Sequence, residues 1–143
     1  KIKLVFVGQG PDYDMLKQKV KQMGLKDQVV FTGAQKDMQA CYSGFDCFLF
    51  PSLFEGLSVA SLEAQANGLP MIINKEVLPT EAKINKNIYS LSLKDSADMW
   101  ANSILEISKI DRREKNTSSI KKNFINHGFD IDYQAQALKK MLI

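Results

Sequence analysis

Short apolar runs alternate along this chain with longer stretches in which apolar residues recur every three or four positions. The short runs are Ile2–Val7, Gln28–Thr32, Phe45–Phe50, Met71–Asn74 and Ile88–Leu93. Runs of this length bounded by Gly, Pro or polar residues read as strands, with Ile2–Val7 as a core strand and the apolar run Cys47–Phe50 fit for burial on both faces. A helix is predicted from Asp12 or Asp14 to about Met23, with Leu16, Val20 and Met23 on its apolar face and Gly24 as its stop. A second runs from Gln35 to about Ser43 with Met38 and Tyr42 inward, and a third from about Leu57 to Asn67. Lys75–Asn87 reads as a polar loop without an element of its own. Asp95 or Ser96 caps a helix through Trp100, Ile104 and Ile107, and Asp111–Ile125 and Asp130–Leu142 complete the tail. Strands alternating with helices imply right-handed βαβ units, hence a doubly wound α/β domain with a mostly parallel sheet and helices on both faces.

Composition bounds this picture without changing it. The 143 residues make one domain, and 45% hydrophobic content is enough for a core. A net charge of +3 suits anionic ligands or a membrane surface and selects neither. Lys75, Lys83, Lys86, Lys121 and Lys122 are scattered, without the interleaved aromatic residues that nucleic acid would require. Cys41 and Cys47 lack CxxC spacing and read as buried thiols. The single histidine, His127, sits before Gly128 in a predicted surface loop, with no Cys, Asp or Glu cluster to form a metal site. No apolar run approaches the roughly 18 residues of a membrane span, and no signal peptide is evident. Lys1 is not Met, and a core strand starts at once. The chain is therefore read as a single domain, residues 1–143, excised from a longer protein.

The most informative stretch is Phe50-Pro-Ser-Leu-Phe-Glu-Gly-Leu-Ser-Val-Ala-Ser-Leu-Glu-Ala-Gln-Ala-Asn-Gly-Leu-Pro70. It reads as strand end, tight loop, helix and helix stop. Gly56 permits a sharp turn, Ser58 can cap the helix, and Gly68 with Pro70 ends it. Leu57, Val59, Leu62 and Ala66 are the expected apolar face. A helix start at the carboxyl end of a parallel strand suits an anion such as phosphate. Glu55 lies just before that start and Glu63 lies on the helix. Carboxylates repel phosphate, so both must face something else, and sugar hydroxyls are natural donors to them. Eight residues of helix rise span at most about 12 Å, the reach of a sugar, a diphosphate and a ribose.

Glu55 and Glu63 form an E-x7-E pair. With the preceding apolar strand, Pro51-Ser52, Gly56 and Asn67-Gly68-x-Pro70, the stretch resembles the donor-site signature of family 4 retaining glycosyltransferases. These have the GT-B fold, and the resemblance points to the bacterial capsular and exopolysaccharide branch. It covers nearly the whole chain and is strongest from Phe45 to Pro70. It implies a Rossmann-like donor-binding half, with an N-terminal acceptor domain and the first part of this domain lying before Lys1. It implies retaining sugar transfer from a nucleotide-diphosphate donor of UDP or GDP type to a saccharide or lipid-linked acceptor. Backbone N–H groups at Leu57, Ser58 and Val59 would hold the diphosphate. Glu63 would accept the ribose hydroxyls, and Glu55 would act at the donor sugar as the catalytic carboxylate. No metal or other cofactor is expected. The location implied is the cytoplasm, including the inner face of the cell membrane if the full-length protein associates peripherally.

Gly8-x-Gly10-Pro11 follows a strand and reads either as a tight turn or as half a dinucleotide fingerprint, without a third glycine. The resemblance places it beside the donor cleft. Phe31-Thr-Gly33-Ala-Gln35 resembles a second family turn, whose backbone reads the edge of the base, with Gln35 and Met38 as flanking groups. Departures are also evident. Ser58, Val59 and Ala60 replace the usual Gly then Leu-Pro, and the loop after Asn74 lacks a glycine pair. Two rival readings share the cleft: a GT-B sugar-nucleotide epimerase and a non-catalytic nucleotide-binding domain.

Overall fold

Among residues 2–109 and 112–142, which the computed structural model describes, every paired strand runs parallel to its neighbour. The strands hydrogen-bond in two sets, one in each of two units, Lys1–Met38 and Gln39–Ile143.

In the first unit β1 (Leu4–Val7) pairs with β2 (Val29–Gly33), and the register slips between Phe6 and Val7. Phe6 and Phe31, opposite each other, stack at 5.0 Å, and Tyr13 meets Phe31 edge-on at 5.5 Å. Helix α1 (Tyr13–Gln22) starts after Asp12, whose side chain makes no cap bond, so neither predicted aspartate caps it. It ends as expected at Gly24, at φ 69°. There Leu25 N–H reaches Val20 O and Gly24 N–H reaches Lys21 O, the paired bonds that close a left-handed helix end. Met23, expected to face inward, is exposed.

In the second unit β3 (Phe48–Phe50), β4 (Met71–Asn74) and β5 (Ile88–Leu91) lie in that order. Central β4 is buried at every residue, whereas β3, expected to be buried on both faces, lies at the end of the strand order and is half-buried throughout. The helices are α2 (Met38–Gly44), α3 (Val59–Ala66), α4 (Ala97–Ser108), α5 (Thr117–Asn126) and α6 (Ile131–Met141). Ser58, Ser96, Asn116 and Asp130 each cap a helix by accepting a hydrogen bond from the N–H three residues on. Exposed His127 follows α5, with Nδ1 2.8 Å from Asn123 O. Cys41 and Cys47 are free and only half-buried.

Three further expectations are corrected. The segment 75–87 is not a solvated polar loop. Val77, Leu78, Ala82, Ile84 and Asn85 are buried, and Thr80–Ala82 form a short 3-10 turn. Its irregular apolar spacing matches no element, and it is held by the buried amide of Gln65. Gln65 donates to Ala82 O at 2.9 Å and accepts from Ile84 N–H at 2.8 Å and Asn85 N–H at 3.1 Å. The predicted helix 111–125 begins only at Thr117 (Asp111 lies outside the described residues). Residues 112–116 are non-helical, and two of them, Arg113 and Glu114, bind carbonyls elsewhere. Arg113 donates to Tyr42 O, Phe45 O and Asn67 O, and Glu114 N–H donates to Gly68 O at 2.9 Å. Finally, α3 does not bury Leu57, Val59 and Ala66, which are exposed. It buries Ser61, Ala64 and Gln65, because small residues and a satisfied amide fit close against the core.

Candidate functional site

The turn after β3 is built around Ser52. Its hydroxyl lies 2.9 Å from Glu55 Oε1 and 3.2 Å from Phe54 O, and its single proton favours the charged, nearer acceptor. Its carbonyl accepts from Asn74 Nδ2 at 2.9 Å. Asn74 is buried at the end of β4. The end of the central strand thus fixes the turn, and the turn fixes a half-buried Glu55. Leu53 and Phe54 beside it are 86% and 87% exposed.

Helix α3 begins two residues later than the sequence suggests. Leu57 lies in the turn, Ser58 is the cap, and Val59 is the first helical residue. Ser58 is buried, with its hydroxyl accepting from Ser61 N–H at 3.3 Å. Its side chain is therefore engaged as a cap, and its backbone remains the candidate contact. Gly56, Leu57 and Val59 are exposed around this helix start.

Glu63 is an exposed residue in the second turn of α3. Tyr42, on α2 and only 2% exposed, donates its hydroxyl to Glu63 Oε2 at 3.1 Å. Burial, then Glu63 itself, raises the tyrosine well above the usual phenol range, so it stays protonated and remains a donor. From the sequence Tyr42 reads only as an inward residue, Ser52 only as part of the Pro51-Ser52 strand end, and Asn74 only as the last residue of a strand. A buried tyrosine on the preceding helix was the available signal.

In the first unit, Gly8 N–H donates to Gly33 O at 2.8 Å, joining two candidate turns. Gly8 and Gly33 have φ of 129° and 68°, where glycine is favoured. Gly8 and Gly10 line a cleft of about 240 Å³, together with Phe6, Tyr13, Leu16 and Phe31. Gln35 is exposed, and its Nε2 donates to Thr32 O at 2.9 Å. Among the described residues, no group of three His, Cys, Asp or Glu is arranged to hold a metal ion, and no helix is long and apolar enough to cross a membrane.

The strand–turn–capped-helix unit with its two held carboxylates can now be set beside known proteins. EpsF of Bacillus subtilis (strain 168) is 30% identical over 138 residues, covering 96% of this chain and 35% of the relative. The UDP-Gal:alpha-D-GlcNAc-diphosphoundecaprenol alpha-1,3-galactosyltransferase of Escherichia coli is 29% identical over 143 residues, covering 97% of this chain and 36% of that enzyme. The chain thus spans about a third of the length of these curated relatives. In fold it is similar to the pneumococcal O-GlcNAc transferase GtfA, solved with UDP and GlcNAc. The TM-score is 0.74 at 21% identity, over 97% of this chain and 28% of that one. The sequence model of the family described as "Glycosyl transferases group 1" matches residues 1–124. With its parallel α/β architecture and the Glu55–Glu63 unit, the chain belongs to the glycosyl transferases group 1 family.

Proposed function

We propose that this domain binds the donor in a retaining, family 4 glycosyltransferase. The whole protein would move a sugar from a nucleotide-diphosphate donor to a saccharide or lipid-linked acceptor in polysaccharide biosynthesis. The observation that carries this reading is the pair of held carboxylates, one before the start of α3 and one in its second turn. The lipid-diphosphate acceptor in the name of the Escherichia coli relative supports the acceptor class. It also favours a place at the inner face of the cytoplasmic membrane for the whole protein.

In this reading the backbone N–H groups of Leu57, Ser58 and Val59 hold the diphosphate. They stabilise negative charge on it as its bond to the sugar breaks. Glu63 accepts the ribose hydroxyls. Glu55 binds donor-sugar hydroxyls and stabilises oxocarbenium-like charge as it develops. The diphosphate is bound without metal. Roles for Gly8, Gly10, Gly33 and Gln35 near the base rest on the family resemblance alone.

The test separates the two carboxylates in the full-length enzyme. Losing one charge-assisted hydrogen bond costs about 1.5–3 kcal/mol. Glu63→Gln should therefore weaken free UDP or GDP by about 10- to 150-fold, measured by calorimetry with and without EDTA. Glu55→Gln should leave free nucleotide nearly unchanged and lower kcat, because its contact strengthens only in the transition state. Equal loss of free nucleotide in both variants, or an unchanged kcat for Glu55→Gln, refutes these roles. Loss of binding in EDTA refutes the metal-free reading. Interconversion of donor sugars without transfer would identify an epimerase instead.

A further inference from the structure

We infer that Tyr42 is a positioning residue that presets the Glu63 carboxylate for a ribose diol; this rests on the ribose role proposed above for Glu63. An exposed glutamate on a helix samples many rotamers, and a ligand that must select one pays for the ordering. Tyr42 removes much of that freedom before any ligand arrives. Its own position is fixed: it is 2% exposed, and its ring meets Phe48 edge-on at 5.9 Å and Phe45 edge-on at 6.5 Å. From there its hydroxyl takes Glu63 Oε2 at 3.1 Å. Among the described residues, Glu63 Oε1 accepts no hydrogen bond. One oxygen is tied to the core, and the other is left with lone pairs for a hydroxyl donor. A carboxylate serving only as a solvated surface charge would need no buried partner.

The alternative partner makes the arrangement testable. Tyr42 has a single hydroxyl proton, and Ala60 O lies 3.3 Å away. In Glu63→Gln that proton can go to the amide oxygen, a weaker neutral acceptor, or to Ala60 O, so the buried hydroxyl keeps an acceptor and the fold is preserved. Tyr42→Phe keeps the ring and its aromatic contacts and removes only the hydroxyl. A matched melting curve verifies both variants.

The experiment measures dissociation constants of UDP and GDP, and of their 2′-deoxy and 3′-deoxy forms, for the parent protein, Tyr42→Phe, Glu63→Gln and the double variant. Tyr42→Phe should weaken the ribonucleotide about three- to tenfold, the worth of one ordinary hydrogen bond. The loss should shrink toward nothing with the deoxy form that lacks the contacted hydroxyl. It should also be smaller on the Glu63→Gln background, where the hydroxyl holds only a neutral acceptor. An equal loss with ribo and deoxy forms, or fully additive losses in the double variant, marks a structural effect and overturns the inference. A loss with Glu63→Gln but none with Tyr42→Phe overturns the inference and leaves the ribose role standing. If Glu63→Gln has no effect, or the parent protein binds neither nucleotide, the ribose role fails and the inference falls with it.

Discussion

Gly68→Ala tests whether the 112–116 segment is held against α3 as tightly as its hydrogen bonds indicate. Gly68 sits at φ 66°, where a residue with a Cβ loses roughly 1–2 kcal/mol. An added Cβ would lie 2.0 Å from Glu114 O, 3.0 Å from Glu114 C and 3.1 Å from Ile120 Cδ1. The first contact is with backbone, so no side-chain rotation relieves it. The segment must withdraw, which breaks the Glu114 N–H to Gly68 O bond and disturbs buried Ile120. That bond is worth about 1 kcal/mol, and the forced shift adds about 1–3 kcal/mol. The expected destabilisation is about 3–6 kcal/mol, a large share of a typical domain's stability of roughly 5–15 kcal/mol. Urea titration of both proteins reads it as a lower midpoint. Gly128→Ala is the control in the same unit. Its φ is 76°, but the nearest atom to an added Cβ is the end of the flexible Gln134 side chain, at 2.9 Å. That variant should lose only the conformational term, about 1–2 kcal/mol. If the two variants are destabilised equally, the segment moves aside freely and its hydrogen bonds do not hold it.

Two further outcomes follow from the core and its pH response. Gln65→Leu keeps the volume but leaves Ile84 N–H, Asn85 N–H and Ala82 O without their buried partner. The expected loss is at least about 3 kcal/mol, and hydrogen exchange at Ile84 and Asn85 should rise first, with unchanged exchange arguing against the Gln65 clasp. Burial pushes the Cys47 thiol from its ordinary 9.0 up to about 11, so the folded state holds a proton that the unfolded chain releases earlier. The stability linked to that proton is complete below the ordinary thiol value and is lost as pH rises toward the folded one. Alkaline urea titrations of Cys47→Ala should show a shallower decline than the parent, and parallel declines would count against burial as the cause.

The sequence by itself determined the order and type of most elements and the local chemistry of the α3 unit. Local rules suffice where neighbouring residues make the structure. Gly24, Gly68 and Gly128 close helices because the left-handed end is a property of a few consecutive residues. Ser58 and Ser96 cap because the acceptor and the N–H it satisfies are three residues apart. The apolar run Met71–Asn74 was legible as a strand, whereas its burial at every position follows from its central place between β3 and β5. Glu55 and Glu63 were legible as a pair because their spacing and flanking residues carry the signal together. Contacts between residues far apart in the chain were decided only by the tertiary structure. The 75–87 segment is ordered by an amide at Gln65, and within the non-helical residues 112–116 Arg113 and Glu114 bind carbonyls at Tyr42, Phe45, Asn67 and Gly68. The buried face of α3 proved to be Ser61, Ala64 and Gln65, since close packing and satisfied hydrogen bonds outweighed the hydrophobicity of Leu57 and Val59. The partners of the two carboxylates divide in the same way. Ser52 lies three residues from Glu55 and is local, whereas Tyr42 lies 21 residues from Glu63 and reaches it only because α2 and α3 meet in the fold.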